Sequence, residues 1–163
     1  MLINYEPNTV GYLDITFGPK WDYIPLTKNY IENFLLINVI DKNSISKISM
    51  SASELLENAV KFSNKDGIRM MIRKLVKKQQ VELVVFNHIT KAESKVVEDI
   101  VGQMNGQEPL QYYIKKMKES VARKDGKAGL GLARINYEGE AKINAKYYDD
   151  REIIQVKATF QLK

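Results

Sequence analysis

The sequence contains no cysteine, which excludes disulfides, thiolate zinc sites and cysteine nucleophiles together. It has a single histidine, His88, so a histidine-rich metal cluster is excluded as well. No stretch approaches the roughly 18 consecutive apolar residues that a membrane-spanning helix needs. The opening residues, MLINYEPNTV, lack the basic start and apolar run of a signal peptide, and the expected location is the cytoplasm. Linkers, internal repeats and low-complexity tracts are also missing.

What is present suits one cooperative unit. At 163 residues and 44% hydrophobic content, the chain can bury a real core but is short for two domains. Its formal charge is +5, with basic residues bunched at Lys74, Lys77 and Lys78 and again at Lys115, Lys116, Lys118, Arg123 and Lys124. Such runs can meet a polyanion, or they can be the solvated faces of a hairpin and a helix. The aromatics are not interleaved with them as a single-strand platform requires, which favours the solvated reading over a nucleic-acid surface.

Pattern along the chain alternates between the two periods. Val10 to Phe17 reads as a strand ended by Gly18, Pro19 and Trp21. Leu26 to Ile40 has helical spacing, and Asp41-Lys42-Asn43 interrupts it. A second helix is expected from Ser49 or Ser51 to Phe62. Ile68 to Arg73 and Val81 to Phe86 predict two antiparallel strands. Val96 to Met104 and Leu110 to Val121 predict a helical hairpin, broken at Asn105-Gly106. A turn with Gly126, Gly129 and Gly131 follows, and Ala141 to Tyr148 and Ile153 to Leu162 predict the closing strands. The fold class expected is a two-layer α/β sandwich, with a mixed, mostly antiparallel sheet, helices on one face and the other face more open.

Two segments carry candidate chemistry. In Ser53-Glu54-Leu55-Leu56-Glu57-Asn58-Ala59-Val60-Lys61-Phe62-Ser63, helical spacing brings Glu54, Asn58 and Lys61 towards one face. An amide oxygen is a hard ligand for Mg²⁺, an ammonium offsets phosphate charge, and a carboxylate can orient or deprotonate a nucleophile. The same spacing also fits an ordinary exposed helix with one Glu57–Lys61 surface pair. In Asp125-Gly126-Lys127-Ala128-Gly129-Leu130-Gly131-Leu132-Ala133-Arg134-Ile135, glycines permit close approach to an anion, and a helix starting there aims free N–H groups at phosphate. Glycines before an apolar helix also serve plain turns. His88 suits packing or capping better than catalysis, and Trp21, Tyr112 and Tyr113 suit core or partner surface.

Taken together, ELLENAVKFS followed by GLGL, with a strand hairpin and helices between, resembles the N-box and lid box of the gyrase, heat-shock chaperone, histidine-kinase and MutL (GHKL) ATPase superfamily, over roughly Ile48 to Leu162. The family's adenine turn falls at Phe86-Asn87-His88-Ile89-Thr90, where Asn87 replaces the usual aspartate and both glycines are missing; its carbonyl oxygen can still accept from an adenine amine. Lys127 stands where the lid box has its first glycine, and Gly126 comes one place early. The Asn-for-Asp exchange, the helical pair and AGLGLARI are most similar to the SiaB-type regulators, a branch related to the anti-sigma-factor serine kinases. The resemblance implies ATP and Mg²⁺ as cofactors, Glu54 as general base, Asn58 as the Mg²⁺ ligand, and Lys61, Asn87, Gly129, Leu130, Gly131 and Leu132 around the nucleotide. It implies a regulatory serine/threonine kinase acting on a small partner protein, with a catalytically silent nucleotide-responsive module as the alternative. Residues 48–163 would form the nucleotide-binding core and 1–47 an added strand and helix that leave a homodimer open.

Overall fold

Among the described residues, alternation and helical spacing give ten elements. They are β1 (Thr9–Phe17), α1 (Tyr23–Asn38), α2 (Lys42–Phe62), β2 (Ile68–Leu75), β3 (Gln80–His88), α3 (Lys91–Asn105), α4 (Pro109–Ala122), α5 (Leu130–Tyr137), β4 (Lys142–Tyr148) and β5 (Ile153–Gln161). The computed structural model describes residues 9–39, 41–65, 67–122 and 129–162. Gly126 and Lys127 of the expected turn, with Arg123 and Lys124 of the basic run, lie outside the described residues.

One five-stranded sheet runs in the order β1-β2-β3-β5-β4. Each neighbouring pair in it is antiparallel, in line with the mixed, mostly antiparallel sheet expected. Strand residues alternate faces, so in β2 Ile68, Met70 and Ile72 are buried while Arg69, Met71 and Arg73 are only partly so. Ile68, Met70, Ile72, Val81, Leu83, Val85, Ala158 and Phe160 join α1 and α2 residues such as Ile31, Leu35, Ala52 and Leu56 in a continuous core. This is the two-layer α/β sandwich expected.

The opposite sheet face carries ion pairs instead of helices. Arg69 donates to both carboxylate oxygens of Asp14, at 2.9 and 2.6 Å. Arg73 and Lys157 both reach Glu82, at 2.6 and 3.4 Å. Glu82 is buried, and these two side chains give it the partners that a buried polar group needs.

The second helix begins earlier than the serines suggested. Asp41 accepts from the backbone N–H groups of Asn43 and Ser44, at 3.2 and 2.8 Å, and so caps a helix starting at Lys42. The polar triplet that interrupts α1 is the start signal of α2. Hydrogen bonds from the Ser44 hydroxyl and backbone hold the Asp41 carboxyl below its ordinary value.

Candidate functional site

Burial decides which way α2 points its polar residues. Ile48, Ala52, Leu55, Leu56, Ala59 and Val60 are buried on the sheet, which turns Glu54 and Asn58 to the side where α5 crosses. Glu54 and Asn58 are half-buried, and Lys61 is exposed with its ammonium 5.0 Å from the Phe62 ring centre. Lys61 is not among the residues lining the cavity described next.

A cavity of about 160 Å³ lies between α2, β3, β5 and α3, with Gly129 and Leu132 at its lid end. Its wall is mostly apolar, including Val85, Ile89, Val97 and Ile100, and its polar lining side chains are Asn58, Asn87 and Glu93. Asn87, near the end of β3, is buried at 6% exposure and shares the helix-side register of Leu83 and Val85. Its amide nitrogen lies 3.5 Å from the His88 carbonyl, and among the described residues no hydrogen bond engages its side-chain oxygen. Glu93 enters the wall because it closes the capping box that starts α3, accepting from the Thr90 N–H at 2.9 Å.

The GLGL segment starts α5. Gly129 has φ +86° and is the N-cap, a left-handed conformation that suits glycine. Gly131 lies against α2 so closely that a Cβ there would stand 2.7 Å from Glu54 Oε2 and 3.3 Å from Asn58 Nδ2. Leu132 is buried and Leu130 half-buried. The first turn of α5 therefore covers the two α2 residues that spacing had singled out.

Arg134, one helical turn on, makes the contact that sequence reasoning missed. Its Nη1 donates to Glu54 Oε1 at 2.8 Å and its Nε to Glu138 Oε2 at 2.8 Å. Tyr113 donates to the other Glu138 oxygen at 2.9 Å and stacks on Tyr137 at 5.5 Å. The Glu138 and Glu54 hydrogen bonds push the Arg134 guanidinium further above its ordinary range. In return, Arg134 lowers the Glu138 carboxyl, while burial and Glu138 raise the Tyr113 phenol. The four-residue step from Arg134 to Glu138 was a legible signal; the reach of 80 positions from Glu54 was not.

His88 points to the other sheet face. It lines a separate groove of about 270 Å³ with Arg69, Tyr148 and Arg151, and its Nδ1 is buried without a hydrogen-bond partner among the described residues. Tyr112 packs in the core as expected, whereas Trp21 is 56% exposed. Among the described residues no helix is long and apolar enough to cross a membrane.

The site is thus an apolar slot in an α/β sandwich, roofed by a glycine-started helix. No family model matches the chain, and no curated protein matches it. Among solved structures, a chain in the crystal structure of the SiaB–SiaC complex from Pseudomonas aeruginosa is similar in fold. Its TM-score is 0.70 at 10% sequence identity, over 94% of this chain and 90% of that one.

Proposed function

We propose that this chain is a regulatory nucleotide-binding protein of the cytoplasm, which uses Mg-ATP to phosphorylate a small partner protein on a serine or threonine. The observation that carries this reading is the convergence of Asn58, Asn87, Gly129 and Leu132 on one apolar cavity. These residues come from three elements, α2, β3 and the start of α5. The shared fold with a chain from a complex of two named proteins supports a protein partner.

The residues fit the cofactor. A planar heterocycle suits the apolar slot, and the side-chain oxygen of Asn87 can accept from an exocyclic amine. Asn58 offers an amide oxygen to Mg²⁺, and the first N–H groups of α5 at Leu130, Gly131 and Leu132 suit phosphate oxygens. Lys61 lies one turn further along α2, where it can add positive charge. Bound Mg-ATP supplies the transferable phosphoryl group. Glu54 accepts the proton of the partner's hydroxyl, and Arg134 holds one of its carboxylate oxygens so that the other is presented.

One observation favours a second reading. The Arg134 ion pair already engages Glu54, as it would in a module that binds nucleotide and a partner without chemistry. Calorimetric titration with ATP, with and without Mg²⁺, is the deciding experiment. Saturable, magnesium-dependent binding that Asn58→Ala abolishes is expected, whereas no binding at millimolar ATP sinks the nucleotide reading. Glu54→Gln should bind but not transfer to a captured partner. Transfer retained in that variant removes Glu54 as base, and wild-type binding with no transfer selects the silent module.

A further inference from the structure

The sheet face opposite the helices brings together side chains that lie far apart along the chain. Arg69 on β2 stands opposite Phe86 on β3, Phe86 opposite Gln155 on β5, and Gln155 opposite Lys146 on β4. Directly opposed residues share a face of the sheet, so these four form one row across it. In the adjoining row His88, Ile153 and Tyr148 are opposed in the same way. The groove of about 270 Å³ is lined by side chains of both rows, with Arg151 of the β4–β5 turn as a further wall residue.

The wall presents hydrogen-bond donors around an apolar floor. Arg69 donates to Asp14 through Nε and Nη2, but a guanidinium has five N–H groups, and among the described residues no hydrogen bond engages its Nη1. The side-chain oxygen of Gln155 accepts from the Tyr148 hydroxyl at 3.2 Å, which commits that oxygen and keeps the NH2 group as donor. Phe86 and Ile153, both half-buried, supply the floor, and the Arg69 guanidinium lies 6.0 Å from the Phe86 ring centre. Among the described residues, none that lines the groove is an aspartate or glutamate. The carboxylates around it are each held by a cation: Asp14 by Arg69, Asp150 by Arg151, Glu152 by Lys65 and Asp149 by Lys91. Lys146 adds charge at the edge, its ammonium 4.9 Å from the Tyr148 ring centre. His88 completes the wall, and because its Nδ1 has no partner among the described residues, no hydrogen bond at that atom fixes the ring.

We infer that this groove is a second ligand site, which takes a small organic anion: a carboxylate or phosphate head on a flat apolar body. Guanidinium and carboxamide donors suit the head, since the planar arginine fork matches such oxyanions at two points. The body lies on Phe86 and Ile153, next to the Arg69 donors. The thickness of the sheet separates this groove from the cavity on the helix side, and Asn87 borders both. The site stands whether or not that cavity takes a nucleotide.

His88 is the single histidine, so its imidazole gives one set of NMR signals that reads the groove in the full chain at fixed pH. Benzoate and phenyl phosphate are the probes. Saturable movement of those signals with at least one probe is expected, and the probe that acts identifies the head as carboxylate or phosphate. Gln155→Glu replaces the amide donors by an acceptor of nearly the same shape, and should weaken that binding by about tenfold or more. Arg151→Ala, at an exposed turn position, should weaken it too, and both variants should keep a cooperative thermal transition. Asn58→Ala, in the cavity on the other face, should bind the probes as the wild type does. His88 signals that stay still at millimolar concentrations of both probes overturn the proposal. So does binding that survives both groove variants, or binding that Asn58→Ala removes.

Discussion

Glu54 and Asn58 sit under the first turn of α5, and the residue that permits this is Gly131. A Cβ there would stand 2.7 Å from Glu54 Oε2, too close for both to stay in place. The obstacle is the end of a flexible side chain, so the helix can keep its position while the carboxylate swings away. Gly131→Ala should therefore leave the melting temperature nearly unchanged, helped by a helix-propensity gain of up to about 1 kcal/mol. Mg-ATP affinity should nevertheless fall by about tenfold or more, equivalent to ~1.4 kcal/mol. Titration beside a thermal melt separates the two effects, and unchanged affinity would mean that the α5 contact is no part of the site. The one-face placement of Glu54 and Asn58 was legible from their four-residue spacing. The Arg134 pair was not, because no local rule links positions on different helices.

At the scale of elements, the apolar periods located both helical hairpin arms and all five strands within a few residues. α2 shows where such reading slips. Its early residues, Lys42 to Lys47, carry little apolar signal, so the pattern points to a start at Ser49 or Ser51, ahead of the clear apolar row. The Asp41 cap decides otherwise by satisfying the N–H groups of Asn43 and Ser44, which would otherwise lack helical partners. Asp41→Ala should cost about 1 kcal/mol and lower the melting temperature by roughly 2–4 °C for a chain of this size. Asp41→Asn should keep most of the cap. Equal melting temperatures for Asp41→Ala and the wild type would show that the first turn of α2 is held by packing alone.

Across the whole molecule, the Glu54–Arg134–Glu138–Tyr113 network joins α2, α5 and α4. Arg134 chiefly, and Tyr113 after it, hold the Glu138 carboxyl below its ordinary value of 4.5. A lowered carboxyl binds fewer protons folded than unfolded, so its stabilisation is complete above that ordinary value. It is lost as pH falls through the lower folded value. Asp41, held by Ser44, and Glu152, held by Lys65, shift in the same direction. The melting temperature should therefore drop below about pH 4.5. Glu138→Gln should melt lower than wild type at neutral pH and show a shallower acid decline. Parallel pH profiles for the two proteins would show that the network adds nothing to stability.

By itself the sequence determined the order and type of the elements, the sandwich class and the two segments worth testing, since all of these rest on local spacing, capping chemistry and the period of burial. Tertiary structure alone decided the insertion of β5 between β3 and β4, the cavity that Asn87 shares with Asn58 and Leu132, and the capture of Glu54 by Arg134. It also decided that α1 buries Ile24, Ile31 and Leu35 while Tyr30 and Ile37 stay exposed. Each of these depends on surfaces brought together from distant parts of the chain, and apolar periodicity records that a face will be covered without recording what covers it.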